Sequence, residues 1–262
     1  MPTRAADGSL AERYRAVIAY DGTPYCGFQR QAGDTPTVQG TIEAALARVT
    51  QQAISVLGAG RTDTGVHAAG QVIAFDAEWR HSPHELWRAL NANLPDTIAA
   101  RSLEVAPRGF HPRYDARSRT YEYTLYVAPA RHPLLDRYAW HVPAGAPLDI
   151  QAMGQAAGSL IGVHDFAAFG RPTQGESTIR EVMRSEFQTV TGTTSREQVI
   201  RYTIEGNAFL YRMVRRVVGA LVRVGRGDVS LEEFDAVFRA ADGDWPNQTA
   251  PPHGLCLIEV SY

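Results

Sequence analysis

The sequence lacks lysine altogether: its 262 residues include 26 basic side chains, and every one of them is an arginine. Lysine forms Schiff bases and completes the phosphate-binding P-loop, so its absence excludes pyridoxal-phosphate enzymes and P-loop nucleotide-binding proteins. Arginine instead supplies a planar, permanently charged fork that binds phosphates and stacks on flat rings. The basic side chains therefore suit phosphate or nucleobase recognition better than covalent amine chemistry.

Cysteine is scarce as well. The two cysteines, Cys26 and Cys256, lie near opposite ends of the chain, and this spacing supports neither a disulfide framework nor a zinc knuckle. His81 and His84 have His-x-x-His spacing, which alone is weak support for a metal ion. A helix that begins at Ser82 explains this region better, so we predict no metal site.

Long apolar runs are missing from a composition that is otherwise ordinary. Hydrophobic residues make up 44% of the chain and charged residues 21%, with a net charge of -2, which is typical of globular domains. No run approaches the roughly 18 apolar residues of a membrane span, and residues 1–12 lack the order of a secretory signal. We expect a cytoplasmic protein.

The charges are unevenly distributed along the chain. Residues 201–226 contain six arginines and a single acid, Glu205, while residues 108–137 form a second basic stretch interleaved with aromatic residues. Arginine mixed with aromatic side chains is what a phosphate backbone and unstacked bases require of a surface. Most charge runs are only solvated faces, so this pattern permits RNA binding without establishing it.

Hydrophobic periodicity predicts an α+β protein. The clearest strand is Arg119–Val127, where tyrosine or leucine alternates with polar residues. The other predicted strands are Arg13–Asp21, 71–75, Val182–Val190, Gln198–Gly206 and Gly254–Tyr262, and the predicted helices are Thr41–Gln51, Pro83–Asn91, Leu148–Ile161, Asn207–Val224 and Leu231–Ala241. Strands outnumber what regular βαβ alternation would give, so we expect a mixed or antiparallel sheet with helices on one side.

The order of these elements suggests two similar halves. Each half runs from a strand through a long loop to a helix, and the join falls near Arg108–Arg117. We therefore predict a flexible tail at residues 1–12, an amino-terminal α+β subdomain at residues 13–112 and a carboxyl-terminal α+β subdomain at residues 113–262.

One predicted helix combines an apolar stripe with an arginine stripe. Within Asn207–Val224, apolar residues recur at helical spacing, while Arg212, Arg216 and Arg223 fall on a different stripe. Such a helix would bury one face and offer arginines on another. Each arginine taken singly is explained equally well as a solvated surface residue.

The loop at residues 60–68 concentrates reactive side chains between glycines. It contains Arg61, Asp63 and His67, and an aspartate two residues from an arginine is readily held as a carboxylate. Asp63 could then act as a nucleophile or a general base. The alternative is a tight turn in which Asp63 bonds local amides, and we assign His67 a structural role in fixing such a turn.

The triplet Asp63-Thr64-Gly65 matches the Asp-Thr-Gly of aspartic proteases, in which two aspartates share a proton. That chemistry needs a second such aspartate, and no second Asp-Thr-Gly or Asp-Ser-Gly occurs in the chain. An arginine so close to the pair would also oppose proton sharing. An aspartic-protease-like hydrolase therefore stays a weak alternative.

Longer motifs are more specific. GRTDTGVHA, RTYEY and NAFLYRMVRRVVG resemble, in order and spacing, the tRNA pseudouridine synthase A family, as do GFQRQ near Phe28 and the closing APPHGLCLIEV. The resemblance covers nearly the whole chain. One departure is Thr64, where the family commonly carries alanine.

This resemblance implies an isomerase that converts uridine to pseudouridine at positions 38, 39 and 40 of the tRNA anticodon stem-loop, without a cofactor and as a homodimer. It also implies the pseudouridine synthase fold, in which two similar subdomains form a basic cleft with Asp63 at its floor. A non-catalytic RNA-binding module is the alternative from another class of protein.

The resemblance also implies the site residues. Asp63 matches the catalytic aspartate, which would attack ribose C1′, attack uracil C6 or assist a glycal-like route. Arg61 and Arg215 match positions that keep this carboxylate ionised and oriented, and Tyr121 matches the tyrosine that stacks on the target base. We expect phosphate contacts from a further set of arginines: Arg30, Arg212, Arg216, Arg223 and the cluster Arg113–Arg119.

Overall fold

The computed structural model describes residues 11–145, 148–172, 175–191, 198–241 and 249–262. The strands are β1 Glu12–Tyr20, β2 Leu57–Gly58, β3 His67–Ala77, β4 Ile98–Val105, β5 Ser118–Ala128, β6 Trp140–Pro143, β7 Gly162–Asp165, β8 Ile179–Thr191, β9 Gln198–Gly206 and β10 Leu255–Ser261. The helices are α1 Val38–Thr50, α2 Pro83–Asn93, α3 Ile150–Gly158, α4 Met213–Gly225 and α5 Leu231–Ala240. The contacts divide the chain into two compact units, one that runs to Arg117 and includes Leu257–Tyr262, and one formed by Ser118–Cys256.

The sheet of the first unit is built around β1, which pairs antiparallel with β3 on one side and β4 on the other. Alternate residues of β1 are buried, from Tyr14 to Tyr20, because successive side chains of a strand point to opposite faces. The short β2 pairs with β3. Helix α2 packs against β4 and α1, and a capping box between Ser82 and Glu85 starts it, as the sequence predicted.

The sheet of the second unit runs in the order β5, β9, β8, β7, with antiparallel neighbours, while β6 adds to β5 in parallel. Helix α3 packs on α4, α5 and β8. Helix α4 is buried along most of its length, so it is a core helix and not a surface one. The fold is thus α+β with mixed strand pairing, as predicted.

Most of the predicted helices and strands lie within a few residues of their bounds in the structure. The short strands β2, β6 and β7 were not predicted, and the largest error in the bounds of a predicted helix is the start of α4, which begins at Met213 and not at Asn207. The segment before it is held in an extended form, since Tyr211 forms an isolated β-bridge with Arg171 and Arg212 has a left-handed backbone (φ +60°). Arg212 therefore lies outside the helix that was expected to carry it.

Other expectations differ in detail. The predicted tail at residues 1–12 lies outside the described residues except at its end, where Glu12 already begins β1 by pairing with Ala77. Cys26 and Cys256 are in no disulfide, and both are half-buried. Among the described residues, no helix is both long and apolar enough to cross a membrane.

Candidate active site

Asp63 opens a tight turn between β2 and β3. The amide N–H of Val66 donates to the carbonyl oxygen of Asp63 at 3.1 Å, and Gly65 takes the third position of the turn with φ +76°. A β-turn with positive φ at this position favours glycine. The Asp63 side chain is half-buried, whereas Thr64 is exposed. The turn thus presents a carboxylate on a short, defined loop.

Buried contacts fix both sides of this turn. The side-chain amide of Gln71, which is fully buried, donates to the carbonyl oxygen of Gly60 at 2.9 Å. The hydroxyl groups of Thr62 and Tyr20 lie 2.8 Å apart, and both side chains are buried. A buried hydroxyl that loses its partner costs about 1–3 kcal/mol, so these bonds hold the backbone next to Asp63 in one position.

A second loop packs directly on the Asp63 turn. The amide of Phe28 donates to the carbonyl oxygen of Thr62 at 3.1 Å. Gly27 has φ +94°, and a Cβ atom there would lie 3.0 Å from the same carbonyl oxygen. Only glycine combines this backbone angle with so close an approach. The glycine-rich character of residues 22–33 was the one sequence signal that could have identified this support.

His67 connects the same loop to β3. Its Nδ1 atom accepts the amide N–H of Gly22 at 3.0 Å and lies 3.2 Å from the Asp21 carboxylate. The His67 side chain is buried. A Cβ atom on Gly22 would overlap the carbonyl group of Val66, so the two loops meet backbone to backbone. The structural role predicted for His67 is confirmed.

Three residues were expected near Asp63: Arg61, Tyr121 and Arg215. They occupy different environments. Arg61 is exposed in the first unit. Tyr121, on β5 of the second unit, is 9% exposed and meets the ring of Phe209 edge to face, with centroids 5.2 Å apart. Phe209 belongs to the extended segment that precedes α4, so this segment supports one face of Tyr121.

Arg215, in the first turn of α4, is tied to the chain near the carboxyl terminus. Its Nε donates to the carbonyl oxygen of Ala250 at 2.8 Å, and the Ala250 amide donates back to the Arg215 carbonyl oxygen at 3.0 Å. Next to this pair, the Tyr123 hydroxyl donates to the carbonyl oxygen of Pro251 at 2.9 Å. Burial raises the pKa of Tyr123, and the nearby charge of Arg215 opposes that shift. The Nε bond thus fixes the direction of the Arg215 side chain, and the second bond fixes its backbone.

The arginines expected to contact RNA differ in their present partners. The guanidinium of Arg30 is 3.1 Å from the carboxylate of Glu43, whose side chain is only 7% exposed. Arg212 is exposed, and its guanidinium lies 4.8 Å from the ring centroid of Tyr211. Arg216 and Arg223 lie on α4 and are half-buried. Arg30 therefore has an internal ion-pair role that the sequence did not indicate.

In the part of the chain that the structure describes, no group of three or more His, Cys, Asp or Glu side chains is placed so that it could hold a metal ion. The imidazoles of His81 and His84 pack instead against Trp79 and Trp87, with ring centroids 5.3 and 5.4 Å apart.

Comparisons with known proteins match most of the length of this chain. A family model described as tRNA pseudouridine synthase matches residues 16–115 and 156–262, which include Asp63 and Arg215 but not Tyr121. A protein named tRNA pseudouridine synthase A from Brevibacillus brevis is 44% identical over 253 residues, 96% of this chain and 100% of its own length. A protein of the same name from Pseudothermotoga lettingae is 40% identical over 252 residues, which are 96% of this chain and 100% of its own length. Another, from Neisseria gonorrhoeae, is 42% identical over 260 residues, which are 98% of this chain and 94% of its own length.

The α+β fold, the Asp63 turn and these matches define an isomerase of the RNA-modifying class. The chain belongs to the tRNA pseudouridine synthase family. This assignment replaces the aspartic-protease interpretation of Asp63-Thr64-Gly65.

Proposed function

We propose that this protein isomerises uridine to pseudouridine in the anticodon stem-loop of tRNA, at positions 38, 39 and 40, with the Asp63 carboxylate as nucleophile. The observation that carries the proposal is the Asp63 turn, which hydrogen bonds hold at Gly60, Thr62 and Val66. A nucleophile must be aimed at its target atom, and a carboxylate on a rigid turn meets that need.

The reaction breaks the bond between ribose C1′ and uracil N1 and then forms a bond between C1′ and uracil C5. If the carboxylate attacks C1′, the bond from C1′ to N1 breaks and its electron pair goes to the uracil. The uracil rotates while bound, C5 attacks C1′ and the carboxylate leaves. One proton is lost from C5 and one is gained at N1, so the reaction is redox-neutral. Attack at C6 or a glycal-like route ends in the same product and also depends on Asp63.

The neighbouring residues take supporting parts. Arg61 and Arg215 orient the carboxylate, since guanidinium groups bind carboxylates through paired, charge-assisted hydrogen bonds. The bond from the Arg215 Nε to the Ala250 carbonyl oxygen supports this part, because it fixes where the guanidinium points. Tyr121 stacks on the target base, and its support by Phe209 holds the ring in place. The target base must leave the anticodon stack to reach such a site, at a cost of a few kcal/mol.

Affinity for the RNA comes from arginines. Contacts to phosphates supply most of the sequence-independent affinity for nucleic acids, and we assign them to Arg212, Arg216, Arg223 and Arg30. Arg30 keeps 65% of its side chain exposed while it pairs with Glu43, so it can do both. We also propose a cytoplasmic homodimer, since a dimer would bring two sets of arginines to one polyanion in spite of a net charge of -2. Light scattering at micromolar concentration tests the dimer.

The proposed activity is tested with a tRNA transcript that carries tritium at uracil C5, because rejoining through C5 must expel that hydrogen. Purified protein is added without metal or cofactor, and tritium release is counted over time. Asp63→Asn keeps the size of the side chain but removes the charge, and Asp96→Asn makes the same change at an exposed position of the first unit. Filter binding to the same transcript is measured for all three proteins.

We expect the wild type and Asp96→Asn to release tritium in proportion to a few uridines per tRNA. Asp63→Asn should bind the transcript with unchanged affinity and release none. Tight binding without release by the wild type would indicate a non-catalytic RNA-binding module. Release by Asp63→Asn at the wild-type rate would remove Asp63 from the chemistry.

A further inference from the structure

Three aromatic side chains in the described part of the chain are exposed, and each lies beside an arginine that is next to it in the sequence. Tyr114 is 70% exposed, Tyr138 50% and Tyr211 47%. The guanidinium carbons of Arg113, Arg137 and Arg212 lie 5.9, 5.8 and 4.8 Å from the centroids of these rings, respectively. The same arrangement therefore occurs at three separate positions.

Tyr211 is held firmly although its ring is exposed. Its amide N–H donates to the carbonyl oxygen of Arg171 at 3.0 Å, within an isolated β-bridge. The next residue, Arg212, has a left-handed backbone with φ +60°. A non-glycine residue in this conformation is uncommon and carries strain, which the surrounding structure must sustain. This backbone sets the Arg212 guanidinium beside the Tyr211 ring.

Tyr114 is supported by its own loop. The ring of His111 packs on it with centroids 4.2 Å apart, while the Nδ1 atom of His111 accepts the amides of Arg113 and Tyr114 at 3.2 and 3.3 Å. The Asp115 carboxylate accepts the amide of His111 at 2.9 Å. The loop is thus cross-linked internally, and the exposure of Tyr114 is a property of an ordered loop.

Tyr138 ends a loop that a buried tyrosine anchors. The hydroxyl of Tyr126 donates to the Asp136 carboxylate and accepts the amide of His132 at 2.9 Å. Arg131 pairs with the same carboxylate at 2.6 Å. The amide of Tyr138 donates to the carbonyl oxygen of Leu135 at 2.9 Å. These bonds hold the backbone that presents the Tyr138 ring.

A fourth arginine shows what a purely structural pairing looks like in this protein. Arg15 lies 4.8 Å from the ring of Tyr262 and 5.6 Å from that of Phe110, but both rings are half-buried. The Tyr262 hydroxyl also donates to the carbonyl oxygen of Pro112 at 2.8 Å. There the cation joins parts of the first unit together, whereas the three exposed pairs face solvent.

We propose that the pairs Arg113–Tyr114, Arg137–Tyr138 and Arg212–Tyr211 are stacking contacts for unpaired nucleotides of the RNA. Every nucleobase has a flat face that stacks on an aromatic ring, and a neighbouring guanidinium adds a stacking plane and a positive charge for the phosphate. Ordered loops have already lost the freedom that stacking would otherwise cost. The inference rests on RNA as the substrate proposed above, and it adds contacts outside the Asp63 turn.

The test compares tyrosine variants on two RNAs of equal length, an anticodon stem-loop and a full duplex. Tyr114→Ala, Tyr138→Ala and Tyr211→Ala are each made in an Asp63→Asn background, so that binding is measured without turnover, and each has a phenylalanine counterpart. Ile179→Ala is the matched control, because Ile179 is 56% exposed in the second unit and is apolar without an aromatic ring. KM and kcat are then measured in the active protein.

Each alanine variant should weaken binding of the stem-loop about tenfold, the effect of losing one stacked base. Duplex binding should stay unchanged, and the phenylalanine variants and Ile179→Ala should remain within about twofold of the parent. KM should rise while kcat stays constant. The slope of log affinity against log salt concentration should be unchanged in Tyr211→Ala. In Arg212→Gln it should become shallower by the amount that corresponds to about one phosphate contact.

Unchanged stem-loop affinity in all three alanine variants would overturn the inference, and so would an equal loss on the duplex. The outcome is separable from that of the proposed function. If the wild type releases no tritium but the alanine variants lose stem-loop affinity, the stacking contacts stand and the catalytic proposal fails. If tritium is released and the variants bind normally, only the stacking contacts fail.

Discussion

The hydroxyl groups of Tyr20 and Thr62 lie 2.8 Å apart inside the first unit, one residue before the proposed nucleophile. Tyr20 ends β1, so this bond ties the Asp63 turn to the central strand of its sheet. The position of the Asp63 turn therefore depends on the buried core of the first unit.

Thr62→Val tests this dependence. Valine keeps the shape of threonine but removes the hydroxyl, so the buried Tyr20 hydroxyl loses its partner. We expect a loss of about 1–3 kcal/mol in the free energy of unfolding, measured by urea denaturation, together with a fall in kcat for tritium release. The neighbouring Thr64→Ala is the control, because Thr64 is exposed; it should match the wild type in both measurements. Equal behaviour of the two variants would show that the bond does not position Asp63.

Substitutions at two glycines can distinguish the effect of backbone strain from the effect of a steric overlap with the Asp63 turn. Gly27 and Gly33 both have positive φ, +94° and +76°, but a Cβ atom at Gly27 would lie 3.0 Å from the Thr62 carbonyl oxygen, whereas at Gly33 it would meet nothing within 4 Å. Each change to alanine should cost about 1 kcal/mol of stability through the backbone alone. Only Gly27→Ala should also displace the Asp63 turn and lower kcat. A similar fall in Gly33→Ala would mean that loop strain, and not the contact, affects catalysis.

The sequence predicted the elements whose pattern is local. The alternation in RTYEYTLYV located β5 within a residue or two, because the period of a strand is a local pattern that needs no distant information. The start of α4 was predicted too early because it depends on contacts between residues that are distant in the sequence. Leu210 continues the apolar spacing, but the bridge between Tyr211 and Arg171 and the left-handed Arg212 stop the helix, and neither is visible in the sequence.

The candidate site was predicted in the same uneven way. The motif around Asp63 predicts the proposed nucleophile. The supports Tyr20 and Gln71 lie 42 and 11 positions from the residues that they bond, Thr62 and Gly60, and only the folded chain brings them together. The partner of Arg30 was missed for the same reason, since an ion pair with a buried Glu43 cannot be read from composition. Residues that act through contacts made on folding are the ones that sequence patterns leave out.

Arg30 should matter for stability as well as for RNA. The buried Glu43 carboxylate accepts the Gln39 side-chain amide and the Val56 backbone amide, each at 3.0 Å, and it faces the Arg30 guanidinium. Arg30→Ala leaves this carboxylate without its cation. Because Arg30 is largely exposed, we expect a loss of only about 1 kcal/mol in urea unfolding. Adding Glu43→Gln should recover part of that loss, and a double variant that is simply the sum of the two single ones would argue against the ion pair.

His253 gives the second unit a pH-dependent stability. Burial lowers the pKa of its imidazole below the ordinary value. The Asp136 charge and a hydrogen bond with the Ala139 backbone oppose this shift, while the charges of Arg131 and Arg215 add to it. The stabilising contribution of the neutral form is fully present above the unfolded pKa of about 6.5, and it is lost as the pH falls from there towards the folded pKa. The urea midpoint should therefore fall between pH 7.5 and pH 5.5, and it should fall less in His253→Asn. The exposed His81→Asn is the control and should keep the wild-type pH dependence; equal curves for all three proteins would contradict the assignment.

The most direct test of the central claim maps the product on the RNA. An unmodified tRNA transcript is incubated with the wild type, with Asp96→Asn or with Asp63→Asn, treated with a reagent that forms a stable adduct on pseudouridine, and copied by reverse transcriptase. We expect stops at positions 38, 39 and 40 with the first two proteins and none with Asp63→Asn, although that variant still binds the transcript. Stops at other positions, or stops that persist in Asp63→Asn, would contradict it.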